Sequence, residues 1–134
     1  YPSAAAVARS TTIGVFPEPG RHPMAIAATS PADLFSRLVG AEHVRADDAS
    51  RAYFARDIFY WPDATLPDAV VAPGSVEELS TVLRAASNAG LAVVPRGGGM
   101  SYTGGYVPHD SPSIVLDLRR LAQVREVNPT DGYA

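Results

Sequence analysis

The most distinctive stretch of the chain is Arg96-Gly97-Gly98-Gly99-Met100-Ser101-Tyr102-Thr103-Gly104-Gly105. Five of its ten residues are glycine, and the apolar run 91–95 in front of it is typical of a buried strand. Because glycine has no Cβ, its backbone N–H groups can face a ligand at close range. Successive N–H groups that point into one concavity bind an anion, and phosphate and pyrophosphate suit such a site best. A flexible linker or a hairpin loop is the alternative interpretation.

Two common phosphate-binding motifs do not fit this stretch. A Walker A loop needs a lysine after its last glycine, and the chain contains no lysine. A G-x-G-x-x-G fingerprint that starts at Gly97 needs glycine at position 102, where the chain has Tyr102. Pro108 and Pro112 follow, so we expect no helix directly after the glycines. The sequence therefore predicts an irregular loop from residue 96 to about 112, and loops of this length are often functional.

A strand, a helix and a second strand are predicted in front of the loop. The strands are residues 68–72 and 91–95. Ser75 and Glu78 form a capping box at the start of the helix, and Gly90 ends it. Apolar residues recur at helical spacing, namely Val76, Leu79, Val82, Leu83 and Ala86. Because the strands of such a βαβ unit are parallel, the loop leaves the carboxyl end of a parallel strand, where open α/β sheets place ligands.

The segments before this unit are less regular. Residues 1–29 are rich in Ala, Pro, Ser and Thr and are expected to form an arm. Residues 30–40 predict a short helix with Ser30 as its N-cap, and the polar stretch 41–51 predicts a turn at 47–48. Residues 53–61 hold five aromatic side chains. They either anchor the core or line a surface for a ligand or partner.

Two more strands are predicted after the loop. Residues 113–118 are apolar enough for a buried strand, and residues 124–127 would open another. Apolar strand faces must be covered by a second layer of structure. We expect the faces of these two strands to lack such a layer in this chain.

Composition excludes several classes of protein. With 134 residues the chain suits one modest domain, and its net charge of -3 gives no basic face for nucleic acid. The absence of cysteine excludes disulfides, thiolate zinc sites and cysteine nucleophiles. His22, His43 and His109 are scattered without metal-ligand spacing, and no G-x-S-x-G elbow is present. No apolar run reaches the roughly 18 residues of a membrane span. We expect no metal site, no transmembrane segment and a cytoplasmic location.

Four ordered motifs resemble a known family. They are PDAVVAPGSVEEL at 67–79, VPRGGG at 94–99, GGYVP at 104–108 and IVLDL at 114–118. They resemble the N-terminal half of the FAD-binding domain of the vanillyl-alcohol oxidase and p-cresol methylhydroxylase (PCMH) superfamily. Residues 53–57 look like the segment that precedes this domain in the branch of 2-hydroxy-acid dehydrogenases, of the glycolate and D-lactate types. We therefore divide the chain into an arm with a short helix, 1–52, and an incomplete PCMH-type FAD-binding domain, 53–134.

The resemblance implies a fold, a cofactor and a site. The fold is α+β, with a βαβ unit in a small parallel sheet and flanking helices. The loop would hold the FAD pyrophosphate through its backbone. The implied cofactor-binding residues are Pro95, Arg96, Gly97, Gly98, Gly99, Met100, Ser101, Gly104 and Gly105. The complete enzyme would be a flavoprotein oxidoreductase that oxidises an alcohol or 2-hydroxy acid by hydride transfer to flavin. No catalytic residue falls in this chain, which we expect to be an inactive fragment by itself.

Three points qualify this resemblance. In the berberine-bridge-like branch the motif is Arg-x-Gly-Gly-His-Ser, and its histidine bonds covalently to the flavin. This chain has Met100 there, so non-covalent FAD is expected. The role of Arg96 is left open: it either offsets pyrophosphate charge as a bidentate donor, or pairs with an acidic neighbour and holds the loop. The alternative function is a module without flavin that binds another phosphate ligand or a partner through its glycines.

Overall fold

The computed structural model describes residues 30–58 and 64–133. The predicted arm 1–29 and the aromatic residues 59–61 lie outside this part of the chain. The described residues form three helices, four strands and two 3-10 turns. The helices are α1 (Pro31–Val39), α2 (Asp48–Phe54) and α3 (Val76–Asn88). Four strands form one sheet, β1 (Val44–Arg45), β2 (Ala69–Val71), β3 (Ala92–Arg96) and β4 (Ser113–Asp117). Two 3-10 turns, Ala41–His43 and Leu118–Arg120, follow α1 and β4.

The sheet has the strand order β1-β2-β4-β3. The strands β2, β4 and β3 run parallel to one another, and the short edge strand β1 pairs antiparallel with β2. The predicted βαβ unit is therefore present as β2-α3-β3, with β4 inserted between its two strands. The predicted α+β fold is confirmed, and β1 makes the sheet mixed rather than wholly parallel.

The two longer helices begin where their caps predict. The Ser30 hydroxyl accepts a hydrogen bond from the Asp33 N–H at 3.1 Å, and the Ser75 hydroxyl accepts one from the Glu78 N–H at 3.1 Å. Glu78 Oε2 in turn accepts from the Gly74 N–H at 2.7 Å, one residue before the N-cap. These bonds satisfy N–H groups that the first helical turn leaves without partners.

Helices cover one face of the sheet with a continuous apolar layer. Phe35 and Val39 of α1 and Val82 and Ala86 of α3 are buried there. They pack with Ala69, Val71, Ile114 and Leu116 of the sheet. Two members of the predicted α3 stripe are half-exposed instead, since Val76 is 50% and Leu83 42% accessible. The apolar stripe of α3 is thus narrower than its sequence spacing predicts.

The opposite face of the sheet is covered by α2. Its buried Phe54 packs against Val70 of β2 and Val115 of β4, with Val94 at the border of the cluster. All five residues of β4 are buried. The expectation that the strand at 113–118 lacks a covering layer is therefore wrong, because the strand lies in the middle of the sheet between two helical layers.

The segment after β4 differs from its prediction. Residues 121–127 form no helix or strand, and Val124 and Val127 are 73% and 68% exposed. The predicted strand at 124–127 is wrong because a strand needs an edge to pair with, and no strand of the described sheet pairs with this segment. A single bridge between Asn128 and Tyr133 follows it.

The domain boundary placed at residue 53 stays a prediction. Phe35 in α1 belongs to the same core as β2 and β4, and Val44 in β1 pairs with Val71 of β2.

Among the described residues, no helix has the length and apolar character needed to cross a membrane.

Candidate functional site

The glycine-rich loop begins where β3 ends. Arg96 is the last residue of β3, and it lies beside Asp117, the last residue of the parallel strand β4. Residues 97–112 contain no helix and no strand, as predicted. The loop therefore starts at the carboxyl edge of the parallel strands. Open α/β sheets bind their ligands at this edge.

The first part of the loop presents backbone donors without protein acceptors. In residues 30–58 and 64–133, no hydrogen bond uses the N–H groups of Gly98, Gly99 or Met100. A Cβ added to Gly97 would meet no atom within 4 Å, and one added to Gly98 would meet only Met100 Cγ at 4.0 Å. Consecutive N–H groups that no protein acceptor uses are one requirement of an anion nest.

Gly99 differs from its two neighbours in the loop. It is buried and has a φ of +77°, in the left-handed region that side chains disfavour. A Cβ at this position would also lie 2.8 Å from Cζ of the Arg96 guanidinium. The backbone turns here directly over the guanidinium, so glycine is needed both for the conformation and for the space.

The Arg96 side chain is turned into the protein and is only 8% exposed. Its Cζ lies 5.8 Å, 5.5 Å and 5.7 Å from the ring centroids of Tyr53, Phe54 and Tyr106. Its Nη1 donates a short hydrogen bond to the carbonyl of Arg56. Guanidinium groups stack well on aromatic faces, so this environment satisfies the cation in a buried position.

Three further hydrogen bonds hold the later part of the loop. The Gly104 N–H donates to Asp57 Oδ2 at 2.9 Å, and the Ile58 N–H donates to the Ser101 carbonyl at 3.2 Å. Within the loop, the Thr103 N–H donates to the Ser101 hydroxyl at 3.1 Å. The loop is thus fixed against the end of α2 and residues 56–58 rather than hanging free as a linker would.

The predicted site residues fall into two groups by exposure. Arg96 and Gly99 are buried, and Gly97, Ser101 and Gly104 are half-buried. The exposed members are Pro95, Gly98, Met100 and Gly105. All of them lie on the last part of β3 or on the loop that follows it, so the structure brings the predicted residues together.

The two described aromatic residues of the segment 53–61 differ in burial. Phe54 is 3% exposed and anchors the core under β2 and β4, whereas Tyr53 is 61% exposed. The two rings meet edge to face with centroids 5.2 Å apart. Both rings contact the Arg96 guanidinium, so this segment packs against the side chain at the start of the loop.

An ionic cluster that sequence reasoning missed lies beside the loop. Asp117 is 4% exposed and accepts hydrogen bonds from Arg119 Nε at 2.8 Å and Nη2 at 2.7 Å. Arg45 Nη1 lies 4.0 Å from the same carboxylate. Burial raises the pKa of Asp117, but the hydrogen bonds from Arg119 and the charge of Arg45 outweigh it and lower the pKa below its usual value. The carboxylate stays charged at neutral pH.

This cluster borders a cavity of about 260 Å³ at the carboxyl edge of the sheet. The guanidiniums of Arg45 and Arg119 also lie over the Phe54 ring, 5.5 Å and 5.3 Å from its centroid. With Arg96, three guanidiniums therefore surround one buried phenylalanine. In the sequence, the ionic cluster is indicated only by a carboxylate at the end of a buried strand that is followed by two arginines.

Two of the three histidines lie in the described part of the chain, and His43 lines the cavity beside Asp117. His43 Nε2 lies 3.6 Å from the Glu42 carboxylate, His109 is exposed, and His22 is outside the described residues. Within the described ranges, no group of three or more His, Asp or Glu side chains is arranged to hold a metal ion.

Comparison with known proteins gives one family. Residues 67–134, half of the chain, match the model of the family described as FAD binding domain. The D-2-hydroxyglutarate dehydrogenase of Xanthomonas citri pv. viticola is 35% identical over 97 residues, which cover 71% of this chain and 20% of that protein. The chain thus spans about a fifth of the length of this curated relative.

Solved structures show the same relationship. The 4-ethylphenol oxidase from Gulosibacter chungangensis superposes with a TM-score of 0.63 at 30% identity, covering 73% of this chain and 19% of that one. p-Cresol methylhydroxylase superposes with a TM-score of 0.61 over 75% of this chain and 20% of that one. At 17% identity, this second likeness shows the fold alone. The resemblance to the vanillyl-alcohol oxidase and PCMH superfamily is confirmed.

Proposed function

Because this chain belongs to the family of FAD binding domains, we propose that its glycine-rich loop, residues 96–105, holds the pyrophosphate of FAD. The observation that carries the proposal is the set of backbone N–H groups at Gly98, Gly99 and Met100, which no acceptor of the described chain uses. These donors stand at the carboxyl end of β3, with open space at Gly97 and Gly98. The residues present therefore fit the phosphate groups of the cofactor.

Backbone donors suit a pyrophosphate for an energetic reason. A hydrogen bond from a neutral N–H to a charged oxygen contributes about 1.5–3 kcal/mol, roughly twice the value for a neutral pair. The donors are held in place before the ligand arrives, since Gly104 and Ser101 are tied to Asp57 and Ile58. A preformed loop avoids much of the cost of ordering flexible chain on binding.

The proposal extends to the complete protein. FAD, when bound, supplies the acceptor for a hydride removed from an alcohol or a 2-hydroxy acid. The relative named D-2-hydroxyglutarate dehydrogenase supports a 2-hydroxy acid as the substrate class, and the structure named 4-ethylphenol oxidase supports an oxidation in general. The residues of this chain bind and orient the cofactor, and we assign them no proton transfer and no contact with the substrate.

The test is a cofactor measurement on the full-length protein that contains this chain. We expect the purified protein to show the visible absorption of oxidised flavin at one FAD per chain. The apoprotein should bind FAD more tightly than riboflavin, which lacks the pyrophosphate. A protein that binds ATP or inorganic pyrophosphate equally well, and shows no preference for FAD, would instead support a module that binds phosphate ligands without flavin.

We also propose that no residue of this loop attaches the flavin covalently. Met100 stands where the berberine-bridge-like branch has its flavin-linked histidine, and its thioether has no nucleophilic nitrogen. The side chain is 72% exposed and serves mainly as an adaptable packing group. After acid precipitation of the full-length protein, we expect no flavin-bearing peptide from residues 96–110. A flavin-linked peptide within that range contradicts the prediction.

A further inference from the structure

From the position of its side chain, we infer that Arg96 is a positioning residue and not the counter-ion of the bound pyrophosphate. It holds the glycine loop in the conformation in which the N–H groups at 98–100 have no protein acceptor. This inference rests on the proposed function only for its effect on FAD. The effect of Arg96 on the loop conformation is a property of the protein without ligand. It can therefore be measured separately from the effect of Arg96 on FAD binding.

Burial and direction are the first argument. The guanidinium lies among the rings of Tyr53, Phe54 and Tyr106, and its Nη1 donates to the Arg56 carbonyl, so its faces and one of its three nitrogens are already engaged within the protein. A counter-ion would have to leave this environment to reach a ligand on the open side of Gly97 and Gly98. Leaving would expose three aromatic contacts and break the bond to the carbonyl, which opposes the movement.

The contact with Gly99 is the second argument. The glycine backbone passes so close to the guanidinium that a Cβ there would lie 2.8 Å from Arg96 Cζ. The Gly99 peptide therefore rests directly on the side chain that precedes it by three residues. Gly99 lies between Gly98 and Met100, whose N–H groups are the other two donors of the series. The contact with the guanidinium therefore fixes the position and direction of these donors.

The third argument is the link from Arg96 to the rest of the loop. Arg96 Nη1 binds the carbonyl of Arg56, and the next two residues, Asp57 and Ile58, hold Gly104 and Ser101 by hydrogen bonds. Loss of the guanidinium would free residues 56–58 and the distal loop together. The planar, forked guanidinium is required for this role, because an ammonium can neither stack on the three rings in the same way nor fill the same volume.

The experiment compares Arg96→Lys, Arg96→Met and Gly99→Ala in the full-length protein. Amide hydrogen exchange is measured without FAD at Ile58, Gly104 and Val107, whose N–H groups donate to Ser101, Asp57 and Gly104. We expect all three variants to exchange at these amides at least about tenfold faster than the wild type. The Leu91 amide, which donates to Ala86 at the opposite edge of the sheet, should keep its protection and report an intact fold.

Binding of FAD is then titrated by quenching of flavin fluorescence. We expect Arg96→Lys to weaken binding about as much as Arg96→Met, by about tenfold or more, because charge is not the property that matters. Gly99→Ala should cost less in the Arg96→Met background than in the wild type, since its clash partner is gone. A Lys variant that binds FAD normally while Met does not, or unchanged exchange at Ile58 and Gly104, overturns the inference. If the wild type binds no FAD, the proposed function fails, and the exchange data still decide the role of Arg96.

Discussion

Gly98→Val is expected to abolish FAD binding by the full-length protein while leaving its fold unchanged. Gly98 is exposed, has no left-handed φ, and a Cβ there meets only Met100 Cγ at 4.0 Å. The protein therefore accommodates the side chain, and on the proposed function we expect valine to block the approach of the phosphate oxygens to the N–H groups at 98–100. Loss of two or three charge-assisted hydrogen bonds, at about 1.5–3 kcal/mol each, removes several kcal/mol of binding free energy.

The measurements for Gly98→Val are flavin content, an FAD titration of the apoprotein, and circular dichroism. Gly98→Ala should give a smaller loss, because a methyl group reaches less far into the same space. Ala89→Val is a matched control that introduces valine at an exposed site, next to the amino end of β3 and away from the loop. Normal flavin content in Gly98→Val would show that the loop is a linker and not the pyrophosphate site.

Gly98 and Gly99 are equivalent in the sequence but not in the structure. At Gly99 a side chain would meet the Arg96 guanidinium and force a left-handed backbone, so any substitution there disturbs the protein as well as the ligand. Of these two glycines, only Gly98 allows a substitution that separates the two effects. The sequence predicts a site at the glycine run, but the position of Arg96 determines which of these glycines tolerates a side chain.

Local signals explain which elements of the fold were predictable. The caps at Ser30 and Ser75 are encoded within three residues, and both helices begin where predicted. The helix α2 was missed because Asp47 and Asp48 were interpreted as a turn, whereas Asp47 is the N-cap and its Oδ1 accepts from the Ser50 N–H at 2.8 Å. Aspartate favours both structures, so composition alone does not distinguish them.

Long-range pairing explains what was not predictable. The insertion of β4 between β2 and β3 involves contacts between residues that are distant in the chain, and no local pattern specifies strand order. The two-residue strand β1 is too short to show periodicity. The alternation of apolar residues near Val124 and Val127 is typical of a strand. A strand forms only where it pairs with another strand, and these residues pair with no strand of the described sheet.

The candidate site shows the same contrast. The position of the loop after a parallel strand followed from the order of elements and is confirmed. The environment of Arg96 and the cluster at Asp117 depend on residues that lie far apart in sequence, such as Phe54, and were left open or missed. Charged side chains near a strand end are common, and only the fold shows which of them become buried.

Asp117→Asn is expected to destabilise the protein by about 2–4 kcal/mol at neutral pH. The carboxylate is buried and accepts two charge-assisted hydrogen bonds from Arg119, and an amide retains one acceptor oxygen and no charge. Asp48→Asn is the matched control. Asp48 is 89% exposed and pairs with Arg51 at 2.9 Å, so its loss should cost less than about 1 kcal/mol. Urea unfolding of the two variants and the wild type gives both values.

The pH dependence of this difference identifies its cause. The pKa of Asp117 is lower in the folded protein than in the unfolded chain, because the hydrogen bonds from Arg119 and the charge of Arg45 outweigh the effect of burial. The stabilisation is therefore fully present above the unfolded value, about 3.9, and is lost as the pH falls through the lowered folded value. The free energies of unfolding of the wild type and Asp117→Asn should differ by a constant amount above about pH 5 and converge in acid. A difference that persists unchanged at the lowest pH would mean that the amide disrupts packing at the end of β4, and that the charge of Asp117 does not stabilise the fold.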